Sequence, residues 1–296
     1  MERLYEKYGL VDFKQLIAKA KKEKFCILHI NCINYDWIKT ALVAAQEAKS
    51  PIILAVSDSA LKYFGTHKSY LELIHSAIKA NHITIPVVAH LDHGSYESAL
   101  SAIKAGFNLV MFDGSHMPFE ENYQKTKEVV ALADQYGCCI EAEVGPIGGK
   151  EDNIDGGDGE LADVNECEKI SKLGITLLAA GIGNIHGIYP PNWKGLRFDR
   201  LTEIHNRLNQ MPLVLHGGTG IPTDQIKKAI SLGVYKLNVG TETLVVYSKA
   251  LNEYFSKQYP QLKKNYDPRK YMVEPINALK ACIIEKIKLC GSDNKA

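Results

Sequence analysis

The chain has 296 residues, is 46% hydrophobic and 23% charged, and carries a formal net charge of +1. That length suits one α/β barrel or two smaller domains and can bury a large core. The near-zero charge gives no electrostatic case for nucleic acid or a membrane surface as a partner, so an anionic small ligand would need a local positive site.

In chain order, a short apolar run at 25–31 is followed by a helical pattern at 35–49. A run at 52–57 precedes a helix at 70–81. Runs at 85–92 and 108–113 each lead into a helix, at 96–105 and 120–136. The run at 138–143 leads instead into a glycine-rich, acidic stretch, 145–159, without apolar periodicity. Such a stretch reads as a structureless lid or binding loop. Runs at 176–183, 213–216 and 234–239 follow, with helices at 198–209 and 223–232 between them and a last helix at 275–289. The runs are rich in Val, Ile, Leu and Ala and do not strictly alternate, as expected of strands buried on both faces. Strand–helix alternation means parallel βαβ units. Eight such strands, with no G-x-G-x-x-G after the first, favour a (β/α)8 TIM barrel with an additional C-terminal helix, as one domain over 1–296.

Seven cysteines form no C-x-x-C pair and read as buried, reduced thiols. The first residues lack the apolar stretch of a signal peptide, and no run approaches the ~20 apolar residues of a membrane helix. A cytoplasmic protein is expected.

Active sites of such barrels lie at the C-terminal ends of the strands. Taken in order, those ends carry Asn31, Ser57, Asp92 with His93, Asp113, Glu143, His186, His216 and Asn238. A barrel built only for stability has no use for a polar group at every strand end. Three neutral imidazoles with an open fourth position make a catalytic zinc site. His93, His186 and His216 have no local ligand spacing, so they meet only if the barrel gathers them. Gly217-Gly218-Thr219 and Gly240-Thr241 follow the last two strands, where backbone N–H groups beside helix N-termini bind phosphate. A metal beside a phosphate anchor can polarise a ketone, and Asp92 next to His93 can move a proton at the bond made or broken. This is the chemistry of a metal-dependent aldol reaction on a phosphorylated ketose. Asp113-Gly114 is also ordinary turn chemistry, and Glu151 is also readable as a solvated acid. Lys236 on the eighth strand offers a competing, metal-free Schiff-base route.

The blocks His90-Leu91-Asp92-His93-Gly94, Asp113 to Asn122, Glu141-Ala142-Glu143-Val144-Gly145, His216 to Gly220 and Asp267-Pro268-Arg269 together resemble the class II, metal-dependent fructose-bisphosphate and tagatose-bisphosphate aldolases. The resemblance runs from about Asn31 to the C-terminal helix. It implies His93, His186 and His216 as zinc ligands, and Asp113 and Glu143 as positions for a second divalent metal. It implies Asp92 as the acid/base on the carbon-4 oxygen and Glu151 as the carrier of the carbon-3 proton of dihydroxyacetone phosphate. Gly187, Gly217, Gly218, Thr219, Asn238, Val239, Gly240 and Thr241 match its contacts with that substrate, near a monovalent cation (Na+ or K+). Arg269 matches an arginine that meets the other phosphate across a subunit boundary, in a homodimer or homotetramer. Fructose 1,6-bisphosphate is the favoured substrate; tagatose 1,6-bisphosphate and other aldehyde partners are alternatives. The sequence departs from the family where Asn184-Ile185 replaces a smaller pair before His186 and Thr219 replaces a serine.

Overall fold

A computed structural model describes residues 3–151, 154–157, 159–258 and 267–296. The order of elements is α1 (Phe13–Glu23), β1 (Ile27–Asn31), α2 (Tyr35–Ala48), β2 (Ile52–Ser57), α3 (Asp58–Phe64), α4 (His67–Ala80), β3 (Val87–Gly94), α5 (Tyr96–Ala105), β4 (Leu109–Phe112), α6 (Phe119–Tyr136) and β5 (Cys139–Val144). Then come β6 (Gly148–Glu151), β7 (Ile154–Asp155), α7 (Val164–Ser171), β8 (Leu177–Ala180), β9 (Ile185–His186), α8 (Phe198–Arg207), β10 (Leu213–Leu215), α9 (Thr223–Ser231), β11 (Val234–Val239), α10 (Thr241–Gln258), α11 (Pro268–Tyr271) and α12 (Val273–Leu289). Strands β1, β2, β3, β4, β5, β8, β10 and β11 close into a parallel barrel, β11 pairing back onto β1. The C-terminal helix α12 packs on α2 and α10.

The pleat sorts side chains into two sets, because successive residues of a strand face opposite sides. Leu28, Ile30, Leu54, Val56, Leu91, Val110, Ile140, Leu178, Leu237 and Val239 face the helices and form the larger core. Ile27, Ile53, Val88, Leu109, Met111, Cys139, Leu177, Ala179 and Val214 form a separate inner core with Phe13, Leu16, Ile17 and Ala20 of α1. Helix α1, which the sequence pattern did not disclose, therefore plugs the N-terminal end of the barrel. Asp12 caps it by accepting the backbone N–H groups of Lys14 and Gln15. Among the described residues no helix is long and apolar enough to cross a membrane, and all seven cysteines are free and buried.

Two expectations change. The stretch at 145–159 is not structureless: β6 and β7 pair as a hairpin, and β6 runs parallel to β9, with Gly149 opposite His186. Its glycines permit that approach; a Cβ on Gly149 would stand 2.3 Å from the His186 carbonyl oxygen. The sixth barrel strand stops at Ala180, so His186 does not end it. His186 instead sits on β9, the strand that this hairpin supports.

Candidate metal centre and phosphate-binding mouth

The inner set turns polar two residues beyond its apolar layer. His29, His90, Glu141 and Lys236 come next, and Asn31, Asp92, Glu143 and Asn238 follow at the mouth; all but Asn31 are buried. One ligand atom each from His93, His186 and His216 lies within 4.8 Å of the others. His93 Nε2 and His216 Nδ1 stand 3.0 Å apart, two ring nitrogens turned on one point. The rings meet edge to face, with centroids 4.9 Å apart for His93–His186 and 4.7 Å for His93–His216.

Each donor is positioned. His93 has φ 46, a left-handed conformation uncommon outside glycine. Its Nδ1 donates to Asp113 Oδ2 at 2.7 Å, leaving Nε2 for the cluster. Asp113 Oδ1 accepts from the backbone N–H and hydroxyl of Ser115. His216 Nε2 donates to Glu141 Oε1 at 2.9 Å. The loop bearing His186 is tied to the end of β10. Asn184 Nδ2 donates to the His216 carbonyl, and its Oδ1 accepts from Ile182 N–H. Tyr189 donates its hydroxyl to the Gly217 carbonyl and accepts from Ile185 N–H. Trp193 Nε1 donates to the Gly183 carbonyl at 2.6 Å. The Asn184 departure thus joins the His186 segment to the His216 segment.

Electrostatics favour a cation at this point. Burial opposes charge on His93, yet Asp92, Asp113 and Glu143 outweigh it and hold its pKa up at about 10. Burial, and then His93, keep His186 and His216 well below the usual imidazole range, as neutral lone-pair donors. Burial and Asp113 push Glu143 up to about 8. Burial resists ionisation of Asp113, but the hydrogen bond and charge of His93 hold it below the ordinary carboxylate range. Three imidazole donors beside buried carboxylates suit a borderline-soft divalent ion such as zinc. His93, Asp113 and Glu143 form a second group with ligand atoms within 4.8 Å of one another.

Asp92 is fully buried and receives an amide donor on each oxygen, Asn31 Nδ2 at 2.7 Å on Oδ2 and Asn238 Nδ2 at 3.3 Å on Oδ1. Ser57 stands opposite Asp92 in the strand register and caps α3 by accepting Ala60 N–H. Asn31, His186, Gly187, Gly217, Gly218, Thr219, Asn238, Gly240 and Thr241 line one recess beside the histidines. Gly217 has φ 67, and a Cβ there would lie 2.0 Å from the Ile185 carbonyl oxygen, so only glycine fits. Thr219 Oγ1 accepts Glu242 N–H, placing its hydroxyl in the first turn of α10. The Val239 side chain faces the helix layer, so only its backbone is available to the mouth.

One expected residue, Arg269, is not brought together with the rest. Arg269, on α11, is exposed and paired with Asp267, with its Nη2 2.9 Å from Oδ2. The Glu151 side chain lies outside the described residues, although its strand pairs with the His186 segment. Lys236, the Schiff-base candidate, is fully buried: its Nζ donates to Glu141 Oε1 at 3.1 Å and stands 2.9 Å from Oε2, so its ammonium is held in an ion pair. Sequence reasoning missed Glu141 and His29 as site residues. The signal was there in the pleat: two positions before Asn31, Asp92, Glu143 and Asn238 stand His29, His90, Glu141 and Lys236.

A closed parallel barrel with its titratable groups gathered at the C-terminal mouth defines a (β/α)8-barrel enzyme. The family model described as fructose-bisphosphate aldolase class-II matches residues 11–295. The chain belongs to this family, whose members are metal-dependent aldolases. It is 50% identical over 289 residues to a fructose-bisphosphate aldolase of Mycoplasma pneumoniae, covering 97% of this chain and 100% of that one. It is 44% identical over 294 residues to one of Streptococcus pyogenes, again with 97% and 100% coverage. The crystal structure of the YdjI aldolase of Escherichia coli K12 superimposes with a TM-score of 0.79 at 30% identity, covering 97% of this chain and 99% of that one.

Proposed function

We propose that the chain cleaves and forms a ketose 1,6-bisphosphate, fructose 1,6-bisphosphate first, interconverting it with dihydroxyacetone phosphate and glyceraldehyde 3-phosphate. The observation that carries this reading is the convergence of His93, His186 and His216 beside Asp92 at the mouth of the barrel. These three imidazoles would hold a zinc ion, which supplies a Lewis acid for the substrate carbonyl.

The remaining steps belong to the chain's own groups. Asp92 takes the carbon-4 hydroxyl proton in cleavage and returns it in condensation; the amides of Asn31 and Asn238 keep both carboxylate oxygens aimed. Glu151 exchanges the carbon-3 proton. The glycine turns at 217–218 and 240, with Thr219, Thr241 and the N-terminus of α10, seat the phosphate of the dihydroxyacetone half. Ser57 and Gly187 flank the sugar chain. Asp113 and Glu143 offer a second divalent position next to His93, and a monovalent cation accompanies the phosphate. Arg269 meets the far phosphate from a neighbouring subunit of a homodimer or homotetramer. The protein acts as one catalytic domain in the cytoplasm.

Chelator treatment followed by zinc or cobalt addition tests this reading in a coupled cleavage assay. Activity should vanish and return. Full activity in the chelator would overturn it. With the zinc form, cleavage of fructose 1,6-bisphosphate should exceed that of tagatose 1,6-bisphosphate; the reverse order would reassign the substrate and leave the chemistry intact.

A further inference from the structure

Glu141 and Lys236 form a fully buried ion pair inside the barrel, directly beneath the histidine cluster. Burying two charges costs more than packing apolar side chains of similar volume, so such a pair is a poor source of stability. The apolar layer next to it, built from residues such as Leu109, Leu177 and Val214, shows that this barrel fills its interior with aliphatic groups elsewhere. The pair therefore calls for another reason.

That reason lies in the contacts of Glu141. Oε1 is 2.9 Å from His216 Nε2 and 3.1 Å from Lys236 Nζ, while Oε2 stands 2.9 Å from Lys236 Nζ and 3.6 Å from His90 Nε2. An ionised carboxylate only accepts, so His216 Nε2 must carry the proton. A neutral imidazole then has its lone pair on Nδ1, the nitrogen that faces His93 Nε2. Asn238 Nδ2, an amide donor, stands 3.2 Å from His216 Nδ1 and 3.4 Å from Nε2 and also reaches Asp92 Oδ1, so the tautomer is set by Glu141. Lys236 Nζ reaches both oxygens of Glu141 and so holds the carboxylate in place beneath His216. His93 shows the same construction with a different acid, Asp113.

We propose that Glu141, held in place by its ion pair with Lys236, is a positioning residue that fixes His216 as the Nε2–H tautomer and points Nδ1 at the metal. The inference rests on the metal reading above and names the residues that set its affinity. Removing one charge would strand the other, so the informative variant is the double change Glu141→Met with Lys236→Met, which replaces both by apolar chains of similar length. A purely structural pair would leave zinc binding where it is. A positioning pair predicts a folded protein with an unchanged or higher Tm and about 10- to 100-fold weaker zinc binding in competition with a chromophoric chelator. Unchanged zinc affinity in a folded double variant would overturn the proposal. Imidazole 15N shifts of the zinc-loaded wild-type chain give a second reading that needs no variant. A proton on His216 Nε2 supports the proposal; a proton on Nδ1 overturns it, whether or not the double variant folds. Stoichiometry separates this from the parent reading. Wild-type chain that takes up no zinc sinks both, whereas one zinc per chain, lost in His186→Ala and held equally by the double variant, sinks only the role of Glu141.

Discussion

The two ends of the barrel use the same strands for opposite purposes. At the N-terminal end the inward positions are Ile27, Ile53, Val88, Leu109, Cys139, Leu177 and Val214, sealed by the apolar face of α1. One pleat repeat or two further along, β1, β3 and β5 present His29, His90, Asp92, Glu141 and Glu143, and β11 adds Lys236 and Asn238. The first end gains its stability from apolar area removed from water, about 25 cal/mol per Å2. The second spends some of that stability on buried charges and strained backbone, such as His93 at φ 46, in order to aim donor atoms. The lesson is that stability and chemistry can be assigned to layers of one barrel, and mutations should separate along that line.

The sharpest separation comes from His186→Ala. It should lower kcat by about 1,000-fold or more, since the Lewis acid contributes several kcal/mol and each 1.36 kcal/mol is tenfold. Circular dichroism should be unchanged, and a chelator competition assay should show the metal lost. Asp92→Asn comes next. It should cost about 100- to 10,000-fold in kcat with little change in KM, because it removes proton transfer and leaves the binding groups in place. Steady-state kinetics on fructose 1,6-bisphosphate decide this; a KM effect alone would move Asp92 out of the chemistry. At the other end, Leu109→Ala should destabilise by about 2–5 kcal/mol in urea unfolding and leave kcat per folded molecule near wild type. A large kcat loss there would erase the distinction between the ends. The smallest effect is expected of Tyr189→Phe. It deletes the hydroxyl that spans Gly217 and Ile185, worth about 0.5–1.5 kcal/mol, and should lower zinc affinity and kcat several-fold with a minor change in Tm.

Much of this was legible in the sequence for a physical reason. Parallel strands buried on both faces are short aliphatic runs, and seven of the eight barrel strands lie close to the runs read from composition. The exception, the run at 176–183, overshoots because Gly181-Ile182-Gly183 extends an apolar string after the ladder has ended at Ala180. Apolar character alone does not mark where hydrogen bonding stops. The hairpin of β6 and β7 escaped because its glycines serve close backbone approach rather than freedom. Helix α10 escaped because its pattern carries no clear apolar stripe; Leu244 and Val245 are exposed on it. Asp92, His93 and His216 were legible at strand ends, and so were the glycine turns. Glu141 and Lys236 lay hidden inside apolar runs and become conspicuous only when every second residue is taken. Arg269 was placed by resemblance, and a surface pair with Asp267 is all that one chain gives it.

The central claim is that His93, His186 and His216 grip one ion. Anomalous diffraction across the zinc absorption edge, from crystals of the zinc-loaded protein, tests it most directly. The account predicts one strong peak bonded to His93 Nε2, His216 Nδ1 and a ring nitrogen of His186, at about 2.0–2.1 Å from each. A zinc-replete, active crystal whose peak lies away from these three rings would contradict it.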